Sequence, residues 1–220
     1  MLTAILKIED TNKLYRLATV LAVITILYNL IEGLISVYFG YDDETLALFG
    51  FGVDSFVEVI SGAGILHMLT RIKLNPDTSR DNFEKTALKI TGTGFYVLTA
   101  GIVVTSIINL ITSHAPDTTF WGVVISSISI VTMWVLIQFK LTVGKKLNSN
   151  AIIADANCTK ACLYLSIILL ASSLGYELTG IGGIDSIGAL AIAYFTFKEG
   201  RESFEKTKGG HCGCDDECSA

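Results

Sequence analysis

Residues 45–69 read TLALFGFGVDSFVEVISGAGILHML, and in this run Asp54 and Glu58 are the only Asp, Glu, Lys or Arg side chains. The stretch exceeds the ~20 apolar residues that an α-helix needs to cross a bilayer core. Carboxylates in hydrocarbon are expensive and need a partner or a purpose. Asp54 and Glu58 are four apart, so on a helix both project from one face. At the helical rise of about 1.5 Å per residue, Asp54 lies about 15 Å in from Thr45, close to mid-depth. Like charges this close repel strongly in a low dielectric. They would share a proton, or a divalent cation would neutralise both.

Five more segments share the apolar character, at about 14–39, 87–112, 120–141, 151–173 and 184–197. The expected fold is therefore an all-α membrane protein of six transmembrane helices. The last segment is short unless it starts near Tyr176 or runs past Glu199. Composition agrees: of 220 residues, 51% are hydrophobic and 17% charged, and the mean hydropathy is +0.56. A soluble domain would carry about 25% charged residues. The first apolar stretch is too long for the core of a signal peptide. Nothing in the composition calls for a nucleic-acid partner, whereas a lipid bilayer is required. The expected divisions are an amino-terminal segment at 1–13, a transport domain at 14–200 and a tail at 201–220.

Lys and Arg set the orientation. Of the 16 such residues, all but Lys160 fall on one side of a six-span arrangement. They lie at the amino end (Lys7, Lys13, Arg16), between the second and third spans (Arg71 to Lys89), between the fourth and fifth (Lys140, Lys145, Lys146) and at the carboxyl end (Lys198, Arg201, Lys206, Lys208). The opposite loops hold none, only residues such as Asp42, Asp43, Glu44, His114, Asp117 and Glu177. Both termini are therefore expected in the cytoplasm.

The fifth span contains Asp155-Ala156-Asn157-Cys158-Thr159-Lys160-Ala161-Cys162. Cys158 and Cys162 repeat the four-residue spacing, with Asp155 on the same stripe. The second and fifth spans run antiparallel. If adjacent, they would bring Asp54 to the level of Cys162 and Glu58 to that of Cys158. Two oxygens and two sulfurs could then close a tetrahedral site of the kind Zn²⁺ accepts. Buried cysteines also serve as small apolar residues, and two buried acids can orient helices, so the residues alone leave these readings open. Asp155 is a candidate cap or entrance residue. Lys160 points off the cysteine stripe, free to snorkel or to pair with Glu32 or Glu58, and Glu32 itself either pairs internally or lines the path. His67 and His114 are expected near the interfaces.

The segment Ala47-Leu48-Phe49-Gly50-Phe51-Gly52-Val53-Asp54-Ser55-Phe56-Val57-Glu58 resembles the second-helix motif of the cation diffusion facilitators, and residues 151–162 resemble the fifth-helix motif. Gly183-Ile184-Asp185-Ser186-Ile187-Gly188-Ala189-Leu190 is similar to the family's sixth helix. The resemblance implies a homodimer that exports divalent metal in exchange for protons, with Asp54, Glu58, Cys158 and Cys162 as metal ligands. It implies no enzymatic reaction and no prosthetic group. Glu58 departs from the family's Asp, and the two cysteines replace harder ligands. The soft pair favours Zn²⁺ or Cd²⁺ as substrate over Mg²⁺ or Mn²⁺. A short tail stands where the family has a folded cytoplasmic domain. That tail holds His211, Cys212, Cys214 and Cys218 with three acids, a composition that fits metal binding. The glycines of the second and third spans permit close helix approach, and the resemblance implies a dimer through the third. Two other classes remain: a membrane metal receptor or sensor that uses the tail, and a thiol redox protein that uses Cys158 and Cys162.

Overall fold

The computed structural model describes residues 11–74 and 82–207. Six helices account for almost all of them: α1 (Thr11–Asp42), α2 (Leu46–Leu74), α3 (Asn82–Thr112), α4 (Phe120–Lys146), α5 (Asn150–Thr179) and α6 (Gly183–Thr207). Five are long and apolar enough to cross a membrane. The exception is α6, whose second half carries Lys198, Glu199, Arg201, Glu202 and Glu205. It nevertheless lies antiparallel along α3 from Leu110 to Gly92. Gly183 sits against Leu110, the Thr196 and Thr99 hydroxyls meet at 2.9 Å, and Phe204 covers Gly92. From Gly183 to Phe204 is about 32 Å of helix at the usual rise, so α6 matches the thickness that α3 traverses.

Polarity is arranged inside out. Large apolar side chains such as Leu34, Val97, Val131, Leu178 and Tyr194 face outward. The interior holds Ser36, Ser55, Ser126, Ser129, Ser166 and Ser173, all buried. Where the surroundings are lipid, burying an apolar side chain gains little. Helices instead associate through close packing of small residues and interhelical hydrogen bonds. Ser129 and Ser166 form one such bond at 2.8 Å between α4 and α5. Between α1 and α2 the contact is almost backbone to backbone. A Cβ added to Gly52 would come within 2.7 Å of the Val37 nitrogen, so the second-span glycines are used inside the bundle. In α3, Gly92 and Gly94 meet Phe204 and Val57, whereas Gly101 faces open space.

Helix pairs α1–α2, α3–α6 and α4–α5 are the most extensive, and α2 also touches α3, α5 and α6. The end of the bundle away from the described termini is knitted by carboxylates on helix amino ends. Asp185 of α6 accepts from the Leu46 and Ala47 amides of α2 at 2.8 and 3.3 Å. Glu177 of α5 accepts from the Thr119 amide at 2.6 Å and from the Thr118 hydroxyl at 2.8 Å, where α4 begins. Amides at a helix start lack intrahelical acceptors and favour negative charge. These two carboxylates therefore fix the level of α2 against α6 and of α4 against α5.

Candidate metal transport site

The two four-residue pairs do face each other. The Glu58 carboxylate of α2 accepts a close hydrogen bond from the Cys162 thiol of α5, and its Oε2 also accepts from the Asn29 amide of α1 at 2.9 Å. Asp54 is 2% exposed, and its Oδ1 is buried with no hydrogen-bond partner among the described residues. Cys158 is half-buried and lies within electrostatic reach of Glu58. Both cysteines are free thiols. The closest pair differs from the expected level by about one helical turn, since Glu58 meets Cys162 rather than sitting opposite Cys158. Counting inward from the apolar limits misplaces the contact because α2 continues to Leu74, well past those limits.

Among the described residues, no three His, Cys, Asp or Glu side chains converge closely enough to enclose an ion in this conformation. What the arrangement offers is a proton held between sulfur and oxygen. A divalent ion arriving there would replace that proton, because thiol and carboxyl must be deprotonated to ligate. Metal and proton would then be alternative occupants of the same atoms.

Beside this pair, α1 contributes a third carboxylate. Glu32 is 5% exposed, with Oε2 accepting from the Ser55 hydroxyl at 3.3 Å and Oε1 buried without a partner. The hydroxyls of Tyr28 and Ser129 lie close to the same carboxylate. Asn29, which the sequence reading passed over, lies three residues before Glu32 on the same helical face. A carboxamide inside an apolar span was the signal available for it.

Lys140 corrects an expectation. The sequence places it in the basic loop between the fourth and fifth spans, yet it lies within α4 and is 1% exposed. Its ammonium donates to Asp155 Oδ1 and to Thr159 Oγ1, both at 2.9 Å. α4 extends to Lys146, beyond the apolar limit at Leu141, so Lys140 sits where α5 still packs against it. Asp155, expected as a cap or entrance residue, is the buried partner of Lys140. Lys160 is half-buried on α5. His114 reaches the exposed Glu44 at 3.0 Å. His211, Cys212, Cys214 and Cys218 lie outside the described residues.

The model of the cation efflux transmembrane domain matches residues 18–208. The chain belongs to the cation efflux family. With its apolar helices, that makes it a multi-pass integral membrane protein, and it bears out the resemblance read from the second- and fifth-span motifs. Two relatives match over much of the chain. The manganese efflux system protein MneP of Bacillus subtilis (strain 168) is 26% identical over 191 residues, covering 80% of this chain and 63% of that protein. An uncharacterized transporter, MJ0449, of Methanocaldococcus jannaschii is 26% identical over 181 residues, with the same coverage. The chain thus matches less than two thirds of the length of either relative.

Proposed function

We propose that this cation efflux protein exports divalent metal ions in exchange for protons, with Asp54, Glu58, Cys158 and Cys162 as the ion's ligands. The observation that carries this reading is the Cys162–Glu58 contact between α2 and α5. It joins the two pairs across antiparallel helices and holds one proton where an ion would sit. Two thiolates favour Zn²⁺ or Cd²⁺. Manganese is a second reading, favoured by the name of the Bacillus relative and by the number of carboxylates near the site. The end bearing both termini would face the cytoplasm. The outward apolar face of α3, with Gly101, fits either lipid or a second copy in a homodimer.

Flux in proteoliposomes tests the reading. Zn²⁺, Cd²⁺, Mn²⁺, Fe²⁺ and Co²⁺ would each be offered with and without an opposing proton gradient. The expected result is transport of Zn²⁺ and Cd²⁺ that the gradient accelerates. Saturable binding without flux would favour a receptor or sensor instead. A reversible Cys158–Cys162 disulfide formed during turnover, without flux, would favour a thiol redox protein.

A further inference from the structure

Three buried acceptor oxygens near the Glu58–Cys162 pair have no hydrogen-bond partner among the described residues: Glu32 Oε1, Asp54 Oδ1 and Asn29 Oδ1. Their residues are 5%, 2% and 2% exposed, so water does not serve them from outside. Leaving a buried polar atom unsatisfied is costly, and three in one neighbourhood need a common explanation. They share neighbours. Asn29 donates to Glu58, while the hydroxyl of Ser55, next to Asp54, donates to Glu32. Glu32 is also within electrostatic reach of Asp54, Glu58 and Cys162. Some buried hydroxyls lack partners too, such as those of Ser36 and Ser106, but here two of the three atoms are carboxylate oxygens, whereas Asp155 is paired with Lys140 and Thr159.

The groups divide along the bundle axis. Glu58 is held against Cys162. Asp54 lies about one turn, or about 6 Å, further from the termini on α2, and the antiparallel α1 brings Glu32 level with Ser55 there. Sulfur is confined to the Glu58 level; the Asp54 level presents only oxygen. Carboxylate and carbonyl oxygens suit hard divalent ions such as Mn²⁺, whereas thiolates select softer ones.

We propose that Glu32 of α1 joins Asp54, which the two subsites share, in an all-oxygen cation subsite one turn beyond the Glu58–Cys162 contact. An ion leaving Cys158 and Cys162 passes to this subsite before release. This rests on the transport reading above, and adds α1 as a third wall of the path. Bridging two carboxylates from different helices, the ion relieves both the mutual repulsion and the unsatisfied oxygens.

Binding by the purified full chain in detergent separates the two subsites. Mn²⁺ would be followed by the loss of its free-ion paramagnetic resonance signal, and Cd²⁺ by sulfur-to-cadmium charge-transfer absorption. Glu32→Gln keeps size and hydrogen bonding but removes the charge. It should weaken Mn²⁺ binding roughly tenfold or more, the equivalent of one good contact, and leave the Cd²⁺ absorption titration within about twofold. Glu32→Asp should restore part of the Mn²⁺ affinity. The double variant Cys158→Ala with Cys162→Ala should show the reverse pattern. Unchanged Mn²⁺ affinity in Glu32→Gln, or equal weakening for both ions, would overturn the subsite. Such a result, together with a double cysteine variant that loses Cd²⁺ binding and flux, would leave the transport reading standing. Wild-type Cd²⁺ flux in the double cysteine variant would instead count against the transport site itself.

Discussion

The ion pair of Lys140 with Asp155 and the carboxylates of Asp54 and Glu32 are all buried, but the surrounding chain compensates them in opposite ways. Asp155 receives an ammonium, and that ammonium also reaches the Thr159 hydroxyl. Among the described residues, Asp54 and Glu32 each keep a buried oxygen without a partner, and neither is in an ion pair with Lys or Arg. Both regions touch α5, where Asp155 and Cys162 are about 10 Å apart along the helix. A compensated cluster contributes to holding α4 and α5 together. An uncompensated one lowers the local potential for a cation, at a cost in stability. This contrast supports reading the first region as structural and the second as the proposed ion site.

The largest expected effect breaks the compensated cluster. Lys140→Ala leaves Asp155 buried and unpaired, and should destabilise the protein by about 3–5 kcal/mol. Asp54→Asn removes a repelling charge and should leave stability equal or higher while abolishing flux. Thermal unfolding in detergent beside a flux assay reads both. A stable Lys140→Ala together with an unfolded Asp54→Asn would reverse the contrast. Next in size is selectivity. Cys158→His with Cys162→Asp should move the Cd²⁺/Zn²⁺ flux ratio toward Zn²⁺ by roughly tenfold, since the replacing ligands are harder. An unchanged ratio would show that the thiols do not set preference.

Asp185 supplies a smaller and purely structural effect. Asp185→Ala removes the acceptor for the Leu46 and Ala47 amides, a loss of about 1 kcal/mol by analogy with helix caps. Stability should fall by that amount while the ion preference stays that of the wild type. A changed preference would mean that the α2–α6 level shapes the site. The smallest effect belongs to the tail. Truncation after Lys208 should leave maximal flux nearly unchanged and weaken apparent affinity at low free metal, because tethered ligands act by raising local concentration. Loss of flux at saturating metal would place the tail in the transport step.

Much of this was legible in the sequence because membrane physics leaves few options. Apolar length fixes the helices, and the four-residue spacing of Asp54 with Glu58 and of Cys158 with Cys162 fixes which side chains share a face. The level at which α2 meets α5 was not legible. It depends on how far each helix continues past its apolar stretch and on ties such as Asp185 to α2. Lys140 was misplaced for the same reason: a lysine at an apolar limit reads as a loop residue, while the helix runs on and buries it. Asn29 carried a weak signal, an isolated carboxamide, and its role emerges only from its contact with Glu58 across two helices.

The central claim is that the two facing pairs hold the transported ion. Zn²⁺ and Cd²⁺ flux through Asp54→Ala and through the double variant Cys158→Ala with Cys162→Ala, each reconstituted as monodisperse protein, tests it most directly. The account predicts that both variants remain folded and that flux is lost in each. Wild-type flux in both would contradict it and remove the α2–α5 site from the transport path.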